Sequence, residues 1–483
     1  QTMSTNSDES PSAIKNMLDE LNGMLECEEL PSQINEQLER CILNLTSINK
    51  LPVDPKRFLA NIKRILVDPK ANARLDYDLM LEMLSKIVAT SSFEDVLTVF
   101  SVEDLVLSLK SGNPSLIKAA NQVIARSYPK GLFANSEILD ILLDLYFDSS
   151  YDISVINSIE HSISNLSSDE LVRRRILINN LPPLMVVRKK FEPTSMARLL
   201  EILNLLCRNM EHSEFIEKLF VVRGDELIKS LDIDVVLFIH IVVYYTNLLN
   251  EVDVIEVGGH THEWLLRYIQ PIVPTLGDIY AQNDKYPDVK YFARSYLFKF
   301  FQKLSYLDDE SLFRFLDENY IHISPETRYL TDFLSFVNPS YLSRYYSTLL
   351  TRFGTVTPSK LGVIRNLVAH QQSFALIKSH ITADAILAMP YMEQMVLLQR
   401  VSQYPHSAEY LLNDLPKVMS NLISNGNGEV IESETVALRR ETIENLLKYD
   451  QSVWHIPLMD EMIKITGGRP RSQVQTSLAS SYI

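Results

Sequence analysis

The feature that most restricts this chain is a helical stretch that recurs. Tyr286-Pro287-Asp288-Val289-Lys290-Tyr291-Phe292-Ala293-Arg294-Ser295-Tyr296-Leu297 opens on a proline, which the first helical position tolerates because no backbone N–H is needed there. Asp288 follows in the first turn, where the helix dipole favours negative charge. Val289, Phe292, Ala293, Tyr296 and Leu297 fall at steps of three and four and predict one apolar face. Counted from the proline, Asn113-Pro114-Ser115-Leu116-Ile117-Lys118-Ala119-Ala120 repeats the scheme. Leu116 stands where Val289 does, Ala120 where Ala293 does, and Ile124 where Leu297 does. Weaker copies start at Pro193 and Pro358.

The spacing of these copies sets the architecture. Pro114 and Pro193 lie 79 residues apart and Pro193 and Pro287 lie 94 apart, each about two units of a roughly 40–47-residue helical repeat. The helical periodicity of Ile153–Leu166 and Val235–Leu249 fills the missing units. Before the first copy, Ser12–Cys27, Pro31–Leu51, Pro55–Val67 and Leu75–Ala89 read as amphipathic helices, and Ser91-Ser92-Phe93-Glu94 reads as a capping box that Ser101-Val102-Glu103-Asp104 nearly repeats. After the last copy the series continues through Pro325–Val337, Met392–Gln403, Thr435–Leu447 and Pro457–Ile465. The opening stretch resembles the second helix of a HEAT repeat. The expected fold is all-α: a curved, C-shaped α-solenoid of degenerate HEAT/armadillo-like repeats. It is expected as one continuous array over residues 10–466, with a mobile polar tail over 467–483. With 483 residues the chain is too long for one compact core, and an array answers that. Only 13 glycines, well under the usual roughly 7%, leave few tight turns or phosphate-cradling loops. Val252–Val257 alone alternates like a strand, and it reads as a surface excursion.

Charge narrows the partners. The net charge is −15, and residues 1–50 and 131–172 carry −6 and −8 of it, the latter stretch with no Lys or Arg. Direct nucleic-acid binding is disfavoured, since phosphate contacts need Lys and Arg; a basic protein surface is the better partner. The apolar run Val235 to Thr246, broken by His240, is too short to cross a bilayer, so no membrane role is expected. Three scattered cysteines, Cys27, Cys41 and Cys207, fit a reducing compartment and no disulfide framework. A cytoplasmic setting, extending to the nucleus, is therefore expected, and a monomeric free protein.

No catalytic constellation is expected. His260-Thr261-His262-Glu263 is the one histidine cluster, and it reads as a solvated loop rather than a metal site. No nucleophile elbow, Walker loop or His-Glu-x-x-His motif occurs, so no cofactor, metal or catalytic residue is assigned. Glu137, Asp140, Asp144 and Asp148 line one helix face; a docking strip is one reading and an ordinary solvated outer face the simpler one. Arg173-Arg174-Arg175 and Arg188-Lys189-Lys190 follow that acidic segment and are read as neutralising it.

Ligands of such a solenoid usually lie on its concave face, lined by the second helices. There the polar residues in helical register are the candidate contacts: Asn157 and Glu160; Glu201 and Asn204; His240, Tyr244 and Asn247; and Lys290 with Arg294. The bland alternative is plain solvation, and for His240 or Tyr244 a satisfied, partly buried hydrogen bond.

Further stretches carry a family resemblance. Phe93-Glu94-Asp95-Val96-Leu97-Thr98-Val99, Pro129-Lys130-Gly131-Leu132-Phe133-Ala134-Asn135-Ser136, Ser168-Asp169-Glu170-Leu171-Val172-Arg173-Arg174-Arg175, Asn338-Pro339-Ser340-Tyr341-Leu342, Leu412-Asn413-Asp414-Leu415-Pro416-Lys417-Val418-Met419 and Ser452-Val453-Trp454 are similar to the budding-yeast HEAT-repeat chaperone of proteasome regulatory-particle base assembly, the counterpart of mammalian S5b. The similarity runs from about Asn16 to Val453. It implies a stoichiometric binder of the C-terminal domain of one proteasomal AAA-ATPase subunit. Such a binder holds a subassembly with a second ATPase and a scaffold subunit, and sterically delays docking on the core particle. The family has also been linked to DNA mismatch repair, which leaves a HEAT adaptor or scaffold for another complex, such as a transport or repair-associated assembly, as the alternative.

Overall fold

A computed structural model describes residues 10–68, 74–253, 262–424, 432–449 and 453–467. Among them there are helices and no strand. The chain groups into two compact units, Gln1–Ile269 and Gln270–Ile483.

In the first unit the helices Ile34–Leu45, Tyr77–Thr90, Pro114–Ile124, Ile153–Leu166, Pro193–Cys207 and Val235–Asn250 pack each against the next and form one layer. Their starts are 37 to 43 residues apart, which is the repeat spacing the prolines foretold. A second layer, including Val102–Lys110, Ile138–Tyr146, Leu181–Lys190 and Gly224–Ile233, packs on the first. Local chemistry starts these helices where the sequence asks. Asn113 caps the Pro114 helix by accepting from Ser115 N–H, and Asp152 caps the Ile153 helix by accepting from Ser154 and Val155 N–H. Each layer buries aliphatic side chains on the facing side, so Ile117, Ala120, Ile124, Ile156, Ile159, Ile163, Leu199 and Leu203 are all at most 2% exposed.

The second unit repeats the plan less regularly. Arg294–Ser305, Leu330–Phe336, Leu361–Val368, Tyr391–Val401 and Ser433–Leu447 follow one another in contact, with Pro339–Tyr345, Gln371–Ile377, Pro405–Asp414 and His455–Ile465 among the helices beside them. Asparagines join neighbouring helices: Asn338 Nδ2 donates to Ser305 O, Asn366 Nδ2 to Leu334 O and Val337 O, and Asn445 Nδ2 to Ser402 Oγ. Asn366 thereby satisfies carbonyls at the end of the preceding helix, which have no partner within it.

Three local expectations change. The opening stretch does start its helix at Pro287, but Val289–Ala293 is a π-helical turn. Its wider winding moves the register to steps of four, so Val289, Ala293 and Leu297 are buried while Phe292 is 62% exposed. Ser91 makes no capping box: the Phe93–Val99 helix is preceded by Ser92 without a side-chain cap, and Ser91 Oγ donates back to Ile87 O. The near-copy at Ser101 is the one that forms, with Asp104 accepting from Ser101 N–H and Ser101 Oγ from Asp104 N–H. Val252, read as the start of a strand, is buried and continues a turn, its N–H bonding Leu249 O; the rest of that stretch from 254 and the tail beyond Gly467 lie outside the described residues.

Candidate docking face

Seven of the nine candidate contacts stand on the Ile153, Pro193 and Val235 helices of the first unit's main layer, and all of them but Tyr244 reach its surface at least in part. The track is built by hydrogen bonds across helices. Tyr146 Oη lies 2.7 Å from Glu160 Oε1 and 3.0 Å from Arg198 O, and Arg198 Nη1 donates to Tyr146 O at 2.9 Å. One tyrosine and one arginine thus tie the Ile138, Ile153 and Pro193 helices together. Asn204 Nδ2 donates to Tyr244 O, and Asn247 Nδ2 donates to Asn204 Oδ1, both at 3.3 Å. These amides tie the Pro193 helix to the Val235 helix.

Asn157 and Glu201 are exposed and make no hydrogen bond among the described residues. Glu160 is half-buried beside Glu201. Burial, compounded by the Glu160 charge, holds the Glu201 carboxyl above its ordinary value. A cation brought beside Glu160 offsets its effect on Glu201. His240 reaches the surface; desolvation along its flank lowers its imidazole below the usual range, with Asp234 opposing.

Tyr244 is removed from the face. It is 1% exposed, and its hydroxyl donates to Phe220 O at 2.7 Å. The Val235 helix is apolar nearly all round, because it is buried between its neighbours, so the i, i+4, i+7 spacing of His240, Tyr244 and Asn247 marks no outward strip. Lys290 and Arg294 belong to the second unit. There Lys290 Nζ lies 5.4 Å from the Tyr291 ring centroid and Arg294 Cζ 4.2 Å from that of Tyr329, two cation–aromatic contacts.

Other sequence candidates resolve into structure. Asp140 is held by Arg175 and accepts from Asn180 Nδ2 at 2.7 Å, and Glu137 faces Lys110, so half of the acidic stripe is already paired. Arg173 is buried against Glu214 and the Ser167 and Ser168 carbonyls. Arg188 is buried against Glu226 and Val221 O. His262, expected in a solvated loop, is 3% exposed; its Nε2 lies 3.1 Å from Arg208 O and its ring 5.5 Å from that of Trp264. His260 and Thr261 lie outside the described residues. Trp264, two positions on, was the signal for burial: it joins His212, Phe215 and Tyr268 in one aromatic cluster.

The described residues contain no group of three or more His, Cys, Asp or Glu side chains placed to hold a metal ion, and no helix long and apolar enough to cross a membrane. Burial pushes the Cys41 and Cys207 thiols up to about 12, so both stay protonated and pack as small hydrophobes. The surface of these three helices presents anionic and amide groups, with the Pro193 and Val235 helices bonded directly and the Ile153 helix tied in through Tyr146.

A family model described as "DNA mismatch repair protein HSM3, N terminal domain" matches residues 15–250, and one described as "DNA mismatch repair protein HSM3, C terminal domain" matches 262–483. The chain is 40% identical to the DNA mismatch repair protein HSM3 of Eremothecium gossypii, over 97% of this chain and 99% of that one. It is 36% identical to that of Saccharomyces cerevisiae, over 94% and 95%. A solved chain from work on a phosphorylation switch between cadherin and beta-catenin aligns over 93% of both chains at 15% identity, with a TM-score of 0.29, too loosely to bear on the fold.

Proposed function

Because the chain belongs to the HSM3 family, we propose that it is a non-catalytic binding protein acting as an assembly chaperone. In this reading the track of the first unit holds the C-terminal domain of a proteasomal AAA-ATPase subunit. A second ATPase and a scaffold subunit complete the bound subassembly, and docking on the core particle is delayed by bulk alone. The observation that carries the reading is the track itself: Asn157, Glu160, Glu201, Asn204 and Asn247 stand on three successive helices of one layer, the last two bonded directly and the first tied in through Tyr146. A surface fixed in this way meets a folded domain with little loss of side-chain freedom. The resemblance of the Ser168–Arg175 and Leu412–Met419 stretches to the chaperone family supplies the identity of the partner.

The test is direct binding of the full chain to a recombinant ATPase C-terminal domain, by calorimetry. The expected result is a one-to-one complex that Asn157→Ala with Glu201→Lys weakens about tenfold, or about 1.4 kcal/mol. Binding only to intact proteasomes would refute the chaperone reading, and unaltered affinity of the double variant would remove the track. The names of the relatives favour a second reading, an adaptor in mismatch repair. It predicts binding to duplex DNA or to a repair protein in place of the ATPase domain. The net charge of −15 weighs against the DNA arm.

A further inference from the structure

A cleft of about 910 Å³ opens in the first unit between the end of the Leu181–Lys190 helix, the Glu217–Phe220 turn and the start of the Gly224–Ile233 helix. None of its lining belongs to the docking track. The back wall is Arg188, which is 5% exposed. Its Nη1 and Nη2 grip the Glu226 carboxylate at 2.7 and 2.9 Å, and Nη2 also donates to Val221 O at 2.8 Å. Its Nε–H is buried with no acceptor. A buried donor left unmade is destabilising, which marks the guanidinium as held by Glu226 and Val221 O rather than by a full set of acceptors. Phe191 closes the helix in a left-handed turn (φ 53°), with its ring 5.8 Å from the Arg188 guanidinium; with Ile216 it makes part of an apolar wall.

The rim is basic. Lys189, Lys218 and Lys229 are exposed and form no ion pair among the described residues, whereas Arg223 is taken up by Asp225 and Glu226. Glu217 also stands on the rim, and the free charges still sum to positive. In a chain of net charge −15 this is a local reversal of sign. A long polyanion such as duplex DNA feels the field of the whole molecule and is repelled, while a short acidic ligand feels the rim.

We propose that this cleft binds a short acidic peptide segment of a partner protein, one that carries an apolar side chain among its carboxylates. Carboxylates pair with the three lysines, and the apolar side chain covers Phe191 and Ile216. The volume, near the top of the roughly 300–1,000 Å³ range of ligand pockets, suits a few residues of peptide rather than a single anion. The cleft works independently of what the docking track holds.

The experiment is fluorescence anisotropy with the full chain and a fluorescein-labelled peptide of about eight residues alternating Glu and Leu. Saturable binding is expected. It weakens at least tenfold in Lys189→Glu/Lys218→Glu/Lys229→Glu, and by an intermediate factor in the corresponding triple Gln variant, with circular dichroism unchanged in both. An all-Glu peptide of the same length is expected to bind several-fold more weakly, because it leaves the apolar wall uncovered. Full affinity in the triple Glu variant overturns the proposal. So does absence of binding by the parent chain, equal binding of the all-Glu peptide or of a short DNA duplex, or a signal that tracks self-association of the chain in sedimentation.

Discussion

Asp317 is a buried acid of the second unit, and replacing it with Ala should cost that unit about 2–6 kcal/mol. It is 1% exposed and starts the π-helical turn Asp317–Ile321. No cation pairs with it among the described residues. Instead Tyr341 Oη donates to Oδ2 at 2.6 Å, Tyr346 Oη donates to the same oxygen, and Ile323 N–H donates to Oδ1 at 3.0 Å. Hydrogen bonds to a charged group contribute about 1.5–3 kcal/mol each, and a buried donor left alone costs about 1–3 kcal/mol. Tyr346 is half-exposed and can turn to water, so two donors, Tyr341 Oη and Ile323 N–H, are orphaned. Their joint cost gives the figure above, a large share of the roughly 5–15 kcal/mol a domain has. The assay is urea unfolding followed by Trp454 in a Trp264→Phe background, since these are the chain's two tryptophans and Trp454 lies in the second unit. At a slope near 2 kcal/mol/M the midpoint falls by about 2 M. Tyr341→Phe alone should cost about 1.5–3 kcal/mol, and the double variant less than the two together, because Phe removes a donor that Asp317→Ala strands. Additive losses, or a drop below about 1 kcal/mol for Asp317→Ala, would refute the network. Burial and the Asp317 charge also raise both tyrosine hydroxyls above their ordinary value of 10.0. The unfolded tyrosines then lose protons before the folded ones, so stability is full below pH 10 and falls as pH rises beyond it.

Three further outcomes follow from single contacts. Asn366→Ala strands Leu334 O and Val337 O and should destabilise the second unit by about 2–4 kcal/mol, read by the same Trp454 transition. Gly277→Ala should destabilise by about 1–2 kcal/mol despite alanine's helix propensity, because a Cβ there meets Tyr320 Cδ2 at 2.5 Å and Leu316 Cδ1 at 2.9 Å; a raised melting temperature would contradict the packing. Glu201→Gln should melt at or above the parent at pH 7. Glu201 titrates higher in the fold than the ordinary carboxyl value of 4.5, so its ionisation disfavours folding as pH rises past that value, and the advantage of Gln should vanish on acidification; a lowered melting temperature at neutral pH contradicts this.

The repeat was legible because it is written in local chemistry. Pro114, Pro193 and the capping residues Asn113 and Asp152 act within one turn of the helix they start, and the step of about 40 residues follows from counting. The π-turn at Val289–Ala293 was not legible, because the same residues wound at 3.6 per turn would bury Phe292. Tyr244 was misread for a different reason. Its acceptor, Phe220 O, lies 24 residues upstream at the end of a four-residue helix, and no spacing rule within the Val235 helix can see it. Arg188 was read as a neutralising surface charge, and its true partner, Glu226, is 38 residues away. Periodicity reports which face a residue is on, and partners fixed by tertiary packing decide whether that face is outside.

The same distinction sharpens what the docking track can contribute. Asn204 and Asn247 sit in register with Asn157 and Glu201, yet they are already bonded to each other and to Tyr244 O. Elsewhere in the chain the same residue type serves the same purpose, with Asn366 and Asn445 joining neighbouring helices. Amides on these helices therefore hold the repeats together first, and a partner meets them as part of a fixed frame rather than as free donors. In the proposed reading the groups left to answer a partner are Asn157, Glu201, His240 and the Glu160 oxygen that Tyr146 does not hold. The discrimination then rests on the carboxylates: the Glu160 charge disfavours that of Glu201, and a ligand that brings a cation between them offsets this. A partner domain that presents Lys or Arg to this pair gains both the new attraction and the relief of the old strain, while an acidic or neutral domain of the same shape gains neither.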